Sequence, residues 1–353
     1  MAGGQISPRL GTQKADIFRR REVFPARGIA QLPRLPSRDR KLDTYFSAGP
    51  ALHSPGVFPY SFRLTLANVH TVDSPMVGKM ATHRLSMNEV TTYRWSFEQD
   101  VWHYVEAGYQ AIGVWRQKLS DYGEERGVDL LAESGLQVTN LQWAGGFTGS
   151  DGHSLEESID DASHAIRLAG AMRAGCLVVY SGGRNNHTFR HAERLLRTAI
   201  DSLLELAEAA DVTLAIEPMH PACAAEWTFL TDIESTIAFL EYFHSPRLKM
   251  VLDLYHFGHD RSVLVNLHEI VPHTALVQLG DRRSAHGIDQ NRCLLGAGNI
   301  PLAEILQNLL EAGYQGDFDV ELVGQDMQLC DYEYLLKTSQ QTFEGLLSPV
   351  RDR

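Results

Sequence analysis

Four short apolar runs each carry one side chain with an oxygen donor: Glu217 in Ala215-Ile216-Glu217-Pro218, Asp253 in Val251-Leu252-Asp253-Leu254, Gln278 in Leu276-Val277-Gln278-Leu279, and Glu321 in Asp319-Val320-Glu321-Leu322. Three carboxylates gathered in an apolar setting cannot all stay ionised unaided, because like charges raise one another's pKa and each loses its hydration. A divalent cation among them removes the conflict. With oxygen as every donor, the set favours one Mn2+ or Mg2+ ion over a tetrahedral zinc site built from His and Cys, with Co2+ or Zn2+ as alternatives. Such an ion beside two glutamates suits proton transfer at a carbon next to a carbonyl, since it stabilises the charge of an enediolate. The plainer reading, in which each carboxylate pairs with an arginine or lysine, stays open.

Those runs must be positioned by strands, and the chain supplies eight. Candidate strands cover 84–92, 111–116, 137–143, 176–182, 212–218, 248–255, 275–281 and 318–323, each followed by a polar break and a segment of helical period. Segments such as LEESIDDASHAIRLAGAMRAG and HAERLLRTAIDSLLELAEAAD are amphipathic. A unit of about 33 residues repeated eight times matches a (β/α)8 TIM barrel of about 250 residues. In that fold the carboxyl ends of the strands hold the active site, which is where the four donors fall. An open doubly wound sheet is the rival, but no GxGxxG follows the first strand and no P-loop lysine motif occurs.

The 353-residue chain is 44% hydrophobic and 22% charged, which fits a folded core and excludes a collagen-like or disordered chain. Residues 1–80 hold 12 Lys and Arg against 5 Asp and Glu, leaving 20 against 39 for the rest. An acidic body repels phosphate backbones, so nucleic acid is not the expected partner, and no apolar run is long enough to cross a membrane. Eight of the 14 prolines precede residue 81, so residues 1–80 read as a flexible basic, Pro-rich extension ahead of a catalytic domain at 81–353. Arg19, Arg20 and Arg21 lack the apolar stretch that an export signal needs. Four scattered cysteines without a CxxC pair suit a reducing compartment, and a cytoplasmic location is expected.

The segment from Arg84 to Leu347 resembles the xylose isomerase-like barrel superfamily of sugar phosphate isomerases and epimerases, through AIEPMH, VLDLYH, VQLGD, LLGAGNIP and DVELVG. The resemblance implies a metal held by Glu217, Asp253, Gln278 and Glu321. Many members carry His on strand seven; Gln278 is similar to the hydroxypyruvate isomerase variant. The resemblance further implies that Glu217 and Glu321 act as acid and base from opposite faces of a small polyhydroxy substrate, giving epimerisation or aldose–ketose isomerisation. A dehydratase acting on an inosose- or dehydroshikimate-like compound shares the first step and is the alternative. Homodimers and homotetramers are common in the superfamily.

His256, three residues after Asp253, resembles the family histidine that hydrogen-bonds substrate. His220 in EPMHP, and Arg282 and Arg283 after strand seven, are further candidates for substrate contact, the arginines as anion or hydroxyl clamps. His187, with Arg184 in the SGGRNNH loop, falls on the same face. Each also has a structural reading as a turn or loop residue, and Trp115 and Trp143 could line a sugar pocket or simply pack. GAGNIP at 296–301 reads as the bend into the seventh helix, with Pro301 at the helix start.

Overall fold

The computed structural model describes residues 83–287 and 289–347. The expected extension at 1–80 lies outside them. The eight expected strands are all present: β1 Leu85–Asn88, β2 Ala111–Trp115, β3 Gln137–Gly145, β4 Cys176–Tyr180, β5 Thr213–Ile216, β6 Leu248–Asp253, β7 Thr274–Leu279 and β8 Asp317–Val320. They pair in parallel in chain order, and β1 closes on β8 through Leu85↔Phe318 and Ser86↔Asp319, giving a closed (β/α)8 barrel.

The helices between them are α1 Phe97–Glu106, α2 Arg116–Tyr122, α3 Glu124–Ser134, α4 Leu155–Ala171, α5 Phe189–Ala209, α6 Ile233–Glu241, the short α7 Leu254–Phe257, α8 Arg261–Val265 and α9 Leu267–Ile270, then α10 Leu302–Glu311 and α11 Tyr332–Leu347. Local sequence dictates several starts. Ser96 and Ser154 open α1 and α4 with reciprocal capping boxes to Gln99 and Glu157, and Thr188 and Asp232 cap α5 and α6. Pro301 stands one position ahead of α10 as its N-cap. Apolar stripes such as Leu196, Ile200 and Leu203 of α5 pack on outward-facing strand residues including Val179, Leu214 and Ile216, which forms the main core.

The lumen is divided into two unlike halves. On the β4–β7 side it is filled by Cys176, Val178, Ala215, Val251 and Leu276. Across the β8–β1–β3 side runs a buried polar chain. Asp319 accepts hydrogen bonds from Ser86 Oγ at 2.5 Å, Asn88 Nδ2 at 2.7 Å and Asn140 Nδ2 at 2.9 Å. The Asn140 to Asp319 contact passes over Gly113 of β2, where a Cβ would lie 2.8 Å from Asp319 Oδ1 and 2.9 Å from Asn140 Nδ2. Burial pushes the Asp319 carboxyl up to about 7, against the pull of those three donors.

Candidate active site

The donors collected from the sequence do meet at the carboxyl ends of the strands. Asp253 of β6 lies level with Gln278 of β7, and Gln278 level with Asp319 of β8, so the two-residue strand period places Glu321 one inward position above Asp319. Glu217 and Glu321 follow directly after β5 and β8, and their backbone N–H groups continue the ladders to Val179 and Leu279 at 3.1 Å each. All four side chains are buried.

Glu217, Asp253 and His256 can each offer a ligand atom such that all lie within 4.8 Å of one another. Glu217 Oε2, Gln278 Oε1 and both ring nitrogens of His256 are buried with no hydrogen-bond partner. Burial, then the charges of Glu321 and Asp253, raise Glu217 well above the usual carboxylate range, although a hydrogen bond with Tyr180 and the Arg292 charge act the other way. Burial likewise pushes Asp253 up to about 6. His256 is held well below its ordinary value, first by burial and then by the Arg292 charge, so its ring is neutral at physiological pH, the form that binds metals. Its Nε2 lies 3.6 Å from Asp253 Oδ2. The placement follows from Asp253 capping α7: its Oδ1 accepts from the Tyr255 N–H at 2.7 Å, and the helical turn brings residue 256 back over the carboxylate.

Glu321 is held differently. Arg292 Nη1 reaches its Oε1 at 2.5 Å, while Gln278 Nε2 at 2.7 Å and Gln142 Nε2 at 3.0 Å converge on its Oε2. The other arm of Arg292 donates to Asp253 Oδ2 at 2.5 Å. Arg292 is 1% exposed and its guanidinium lies 4.6 Å from the Tyr255 ring centroid. A single arginine therefore neutralises part of the buried charge, so the ion-pair reading holds for Asp253 and Glu321. It does not satisfy Glu217, Gln278 or His256. Unpartnered acceptors next to excess negative charge fit a cation, which Glu217, Asp253, His256 and Gln278 would hold; Glu321, the fourth ligand expected from the sequence, already accepts from Arg292, Gln278 and Gln142.

Arg292 and Gln142 were not singled out from the sequence. Arg292 lies in the loop before LLGAGNIP, and its only local signal is a charged residue immediately ahead of an apolar run. Gln142 and Asn140 share one strand face, and together with Asn88 they carry the polar chain upward: Asn88 Nδ2 donates to Gln142 Oε1 at 2.5 Å, which turns the Gln142 amide nitrogen toward Glu321.

The remaining candidates sit farther out. His220 stacks on His286 with ring centroids 3.8 Å apart, and its Nδ1 accepts from the Ala222 N–H at 3.2 Å. His286 Nε2 is 2.7 Å from the Tyr255 carbonyl, so it carries the proton there, and burial lowers the ring to about 4. Arg282 Nη1 donates to the Ser284 carbonyl at 2.6 Å and Arg283 Nε to the Ala297 carbonyl at 3.0 Å. Neither arginine pairs with Asp281 through its side chain; Asp281 instead accepts the backbone N–H groups of Arg282, Gly296, Gly298 and Ile300, tying the GAGNIP bend to the end of β7. His187 Nε2 lies 3.2 Å from the Thr148 carbonyl. Among the described residues no hydrogen bond or ion pair joins His187, His220, Arg282 or Arg283 to the carboxylates, whereas Arg292 does so twice.

Comparisons with known proteins agree with the barrel. A family model described as a xylose isomerase-like TIM barrel matches residues 103–343. D-psicose 3-epimerase of Enterocloster bolteae is 34% identical over 122 residues, 33% of this chain and 37% of that protein. Fructoselysine 3-epimerase of Shigella flexneri is 28% identical over 185 residues, 49% of this chain and 61% of that protein. The matches thus span less than two thirds of either curated relative. The solved structure of the IolI protein with a binding zinc atom superposes with a TM-score of 0.65 at 21% identity, covering 75% of this chain and 98% of that one.

Proposed function

We propose that this chain, which belongs to the xylose isomerase-like TIM barrel family, is a divalent-metal-dependent isomerase or epimerase of a polyhydroxy keto compound, moving a proton through an enediolate. Two sugar 3-epimerases among its relatives support the class. The observation that carries the reading is the unequal treatment of the two glutamates at one buried centre. Glu217 has a buried oxygen without a partner, open to the ion it would help to hold. Glu321 receives three donors, one of them a guanidinium, and none of its own bonds requires it to donate. One glutamate open to the reacting centre and one fixed by three donors is an arrangement in which the two can take different parts in a proton transfer.

A divalent ion held there, Mn2+ or Mg2+ by the predominance of oxygen donors, would supply Lewis-acid polarisation of a carbonyl. His256 adds one nitrogen to the oxygens of Glu217, Asp253 and Gln278, and the Gln278 amide nitrogen steadies Glu321. Glu217 and Glu321 then handle the proton at the carbon beside that carbonyl. Arg292 spans Asp253 and Glu321 and keeps both oriented.

The test is exchange of the α-proton with solvent deuterium, followed by mass and NMR across ketoses, inososes and hydroxypyruvate. Exchange is expected in the metal-loaded protein and lost by at least about a hundredfold in Glu217→Gln and Glu321→Gln, the scale of removing a general acid or base. Undiminished exchange in both variants would reject the assignment, and a product lighter by one water would move the protein to the dehydratases.

A further inference from the structure

Buried charge also collects outside the lumen, between the first two βα units. Glu89 follows β1 directly after Asn88, and consecutive strand residues face opposite ways. Asn88 reaches inward to Gln142, whereas Glu89 turns to the helix layer, where Asp100 of α1 is its side-chain hydrogen-bond partner. Lys118 of α2 donates through Nζ to Asp100 Oδ2 and, at 2.9 Å, to the Thr92 carbonyl. Thr92 Oγ1 donates to Asp100 Oδ1 at 2.7 Å and accepts from the Tyr104 hydroxyl at 2.6 Å. Glu89 Oε2 accepts the Trp115 N–H at the end of β2 at 2.8 Å, and Glu89 Oε1 is buried with no donor beside it.

Glu89, Thr92, Asp100 and Tyr104 are fully buried, and Lys118 is 7% exposed. Two carboxyl groups therefore share one ammonium; among the described residues no other cation pairs with either. A second ionised carboxylate here would be a buried charge without a counter-ion, beside one of like sign. The hydrogen bonds show which group keeps its charge. Asp100 receives two side-chain donors, while Glu89 receives a single backbone N–H and otherwise meets Asp100, itself an acceptor. Two acceptors that hydrogen-bond each other need a proton between them. In keeping with this, burial and then the Asp100 charge hold Glu89 well above the usual carboxylate range, and burial pushes Asp100 up to about 6 against the pull of Lys118. The remaining titratable neighbours, Tyr104 and Tyr109 with ring centroids 5.8 Å apart, are both raised by burial and stay neutral.

We propose that Glu89 and Asp100 hold one proton between them, and that this proton is a pH-sensitive clasp fastening the end of β1 to α1 and α2. Its loss sets a second negative charge against Asp100 and drives the end of β1 from α1, one residue from the Asn88 that steadies Gln142. The clasp is independent of the reading of Glu217 and Glu321 given above. Above 4.5 the unfolded chain has released a proton that the folded protein keeps, so stability falls as pH rises toward the raised Glu89 value.

Infrared spectra of the full chain read the proton directly, because a protonated carboxyl absorbs apart from carboxylates. At pH 7 the parent minus Glu89→Gln difference should show one carboxylic-acid carbonyl band, and its absence overturns the shared proton. Gln keeps a donor toward Asp100 and an acceptor toward the Trp115 N–H. This variant should therefore melt within about 2 °C of the parent, whereas Asp100→Asn, which strands Lys118, should melt at least about 6 °C lower. Equal losses in the two variants overturn the assignment of the charge to Asp100. Hydrogen exchange read by mass spectrometry tests the clasp between about pH 7 and pH 10, a range that spans the values of about 8–9 known for buried glutamates. Protection of residues 89–104 and 113–119, corrected for the intrinsic rate, should fall at least about tenfold in the parent as the band disappears, the scale of one hydrogen bond to a charged group, and should hold in Glu89→Gln. Protection that is unchanged while the band disappears, or a band that persists at pH 10, overturns the switch. The infrared and exchange readings need only the isosteric Glu89→Gln, so the test stands if Asp100→Asn does not fold.

Discussion

Substituting Arg292→Met removes the guanidinium that joins Asp253 to Glu321 while keeping much of its apolar stem. In metal-free protein the change leaves two buried carboxylates without their shared counter-charge, a loss of about 3–5 kcal/mol. At the lower end of the usual sensitivity for a domain of this size, about 2 °C per kcal/mol, the melting temperature should fall by about 6–10 °C at neutral pH. The loss should depend on pH in a definite sense. Asp253 is raised from 3.8 to about 6 by burial, so between those values the folded protein holds a proton that the unfolded chain has released, and stability declines as pH rises through the window. Arg292 is the strongest influence opposing that rise. Without it the folded-state value climbs and the decline extends toward neutral pH. Calorimetry in chelator from pH 5 to pH 8 should therefore show a smaller deficit for the variant at pH 5 than at pH 8, because only the Asp253 part is relieved by protonation. A deficit that is the same at both ends, or a shift under about 2 °C throughout, would refute the claim that Arg292 serves as the internal counter-charge.

Gly113→Ala should cost about 1–3 kcal/mol, read from urea midpoints, because its Cβ would press on Asp319 and Asn140 in a lumen with no slack. Asp319→Asn removes a buried carboxyl raised to about 7, whose contribution to stability falls as pH increases from about 4 to 7; stability should be lower at pH 5, and the change between pH 5 and pH 8 shallower than in the parent protein.

The strands were legible because a barrel strand is a short apolar run between breaks, and all eight runs sit within a few residues of their observed positions. Glu217, Asp253, Gln278 and Glu321 stood out because a polar residue inside such a run needs a reason to be there. Arg292 gave no comparable signal: it comes from a loop, where sequence spacing says nothing of the path, yet among the described residues it supplies more ion pairs to the centre than any other. His256 is expected from the sequence as a substrate contact; the start of α7 at Leu254, directly after the strand, also brings its Nε2 to 3.6 Å from Asp253, a proximity that spacing alone did not reveal. Ser86, Asn88, Asn140 and Gln142 alternate in register on their strands, but period two alone could not reveal that Gly113 leaves room for their groups to reach Asp319 across a strand.

The split lumen bears on how the barrel could be re-engineered. Exchanges among Val178, Ala215, Val251 and Leu276 would be felt as packing volume, a quantity that neighbouring methyl groups can redistribute. The staves on the other side form an amide and carboxylate truss running from Ser86 to Glu321, and a change at its foot alters the set of the Glu321 carboxylate at its head. Libraries meant to raise thermal tolerance belong on the greasy staves, and those meant to retune turnover belong on the truss.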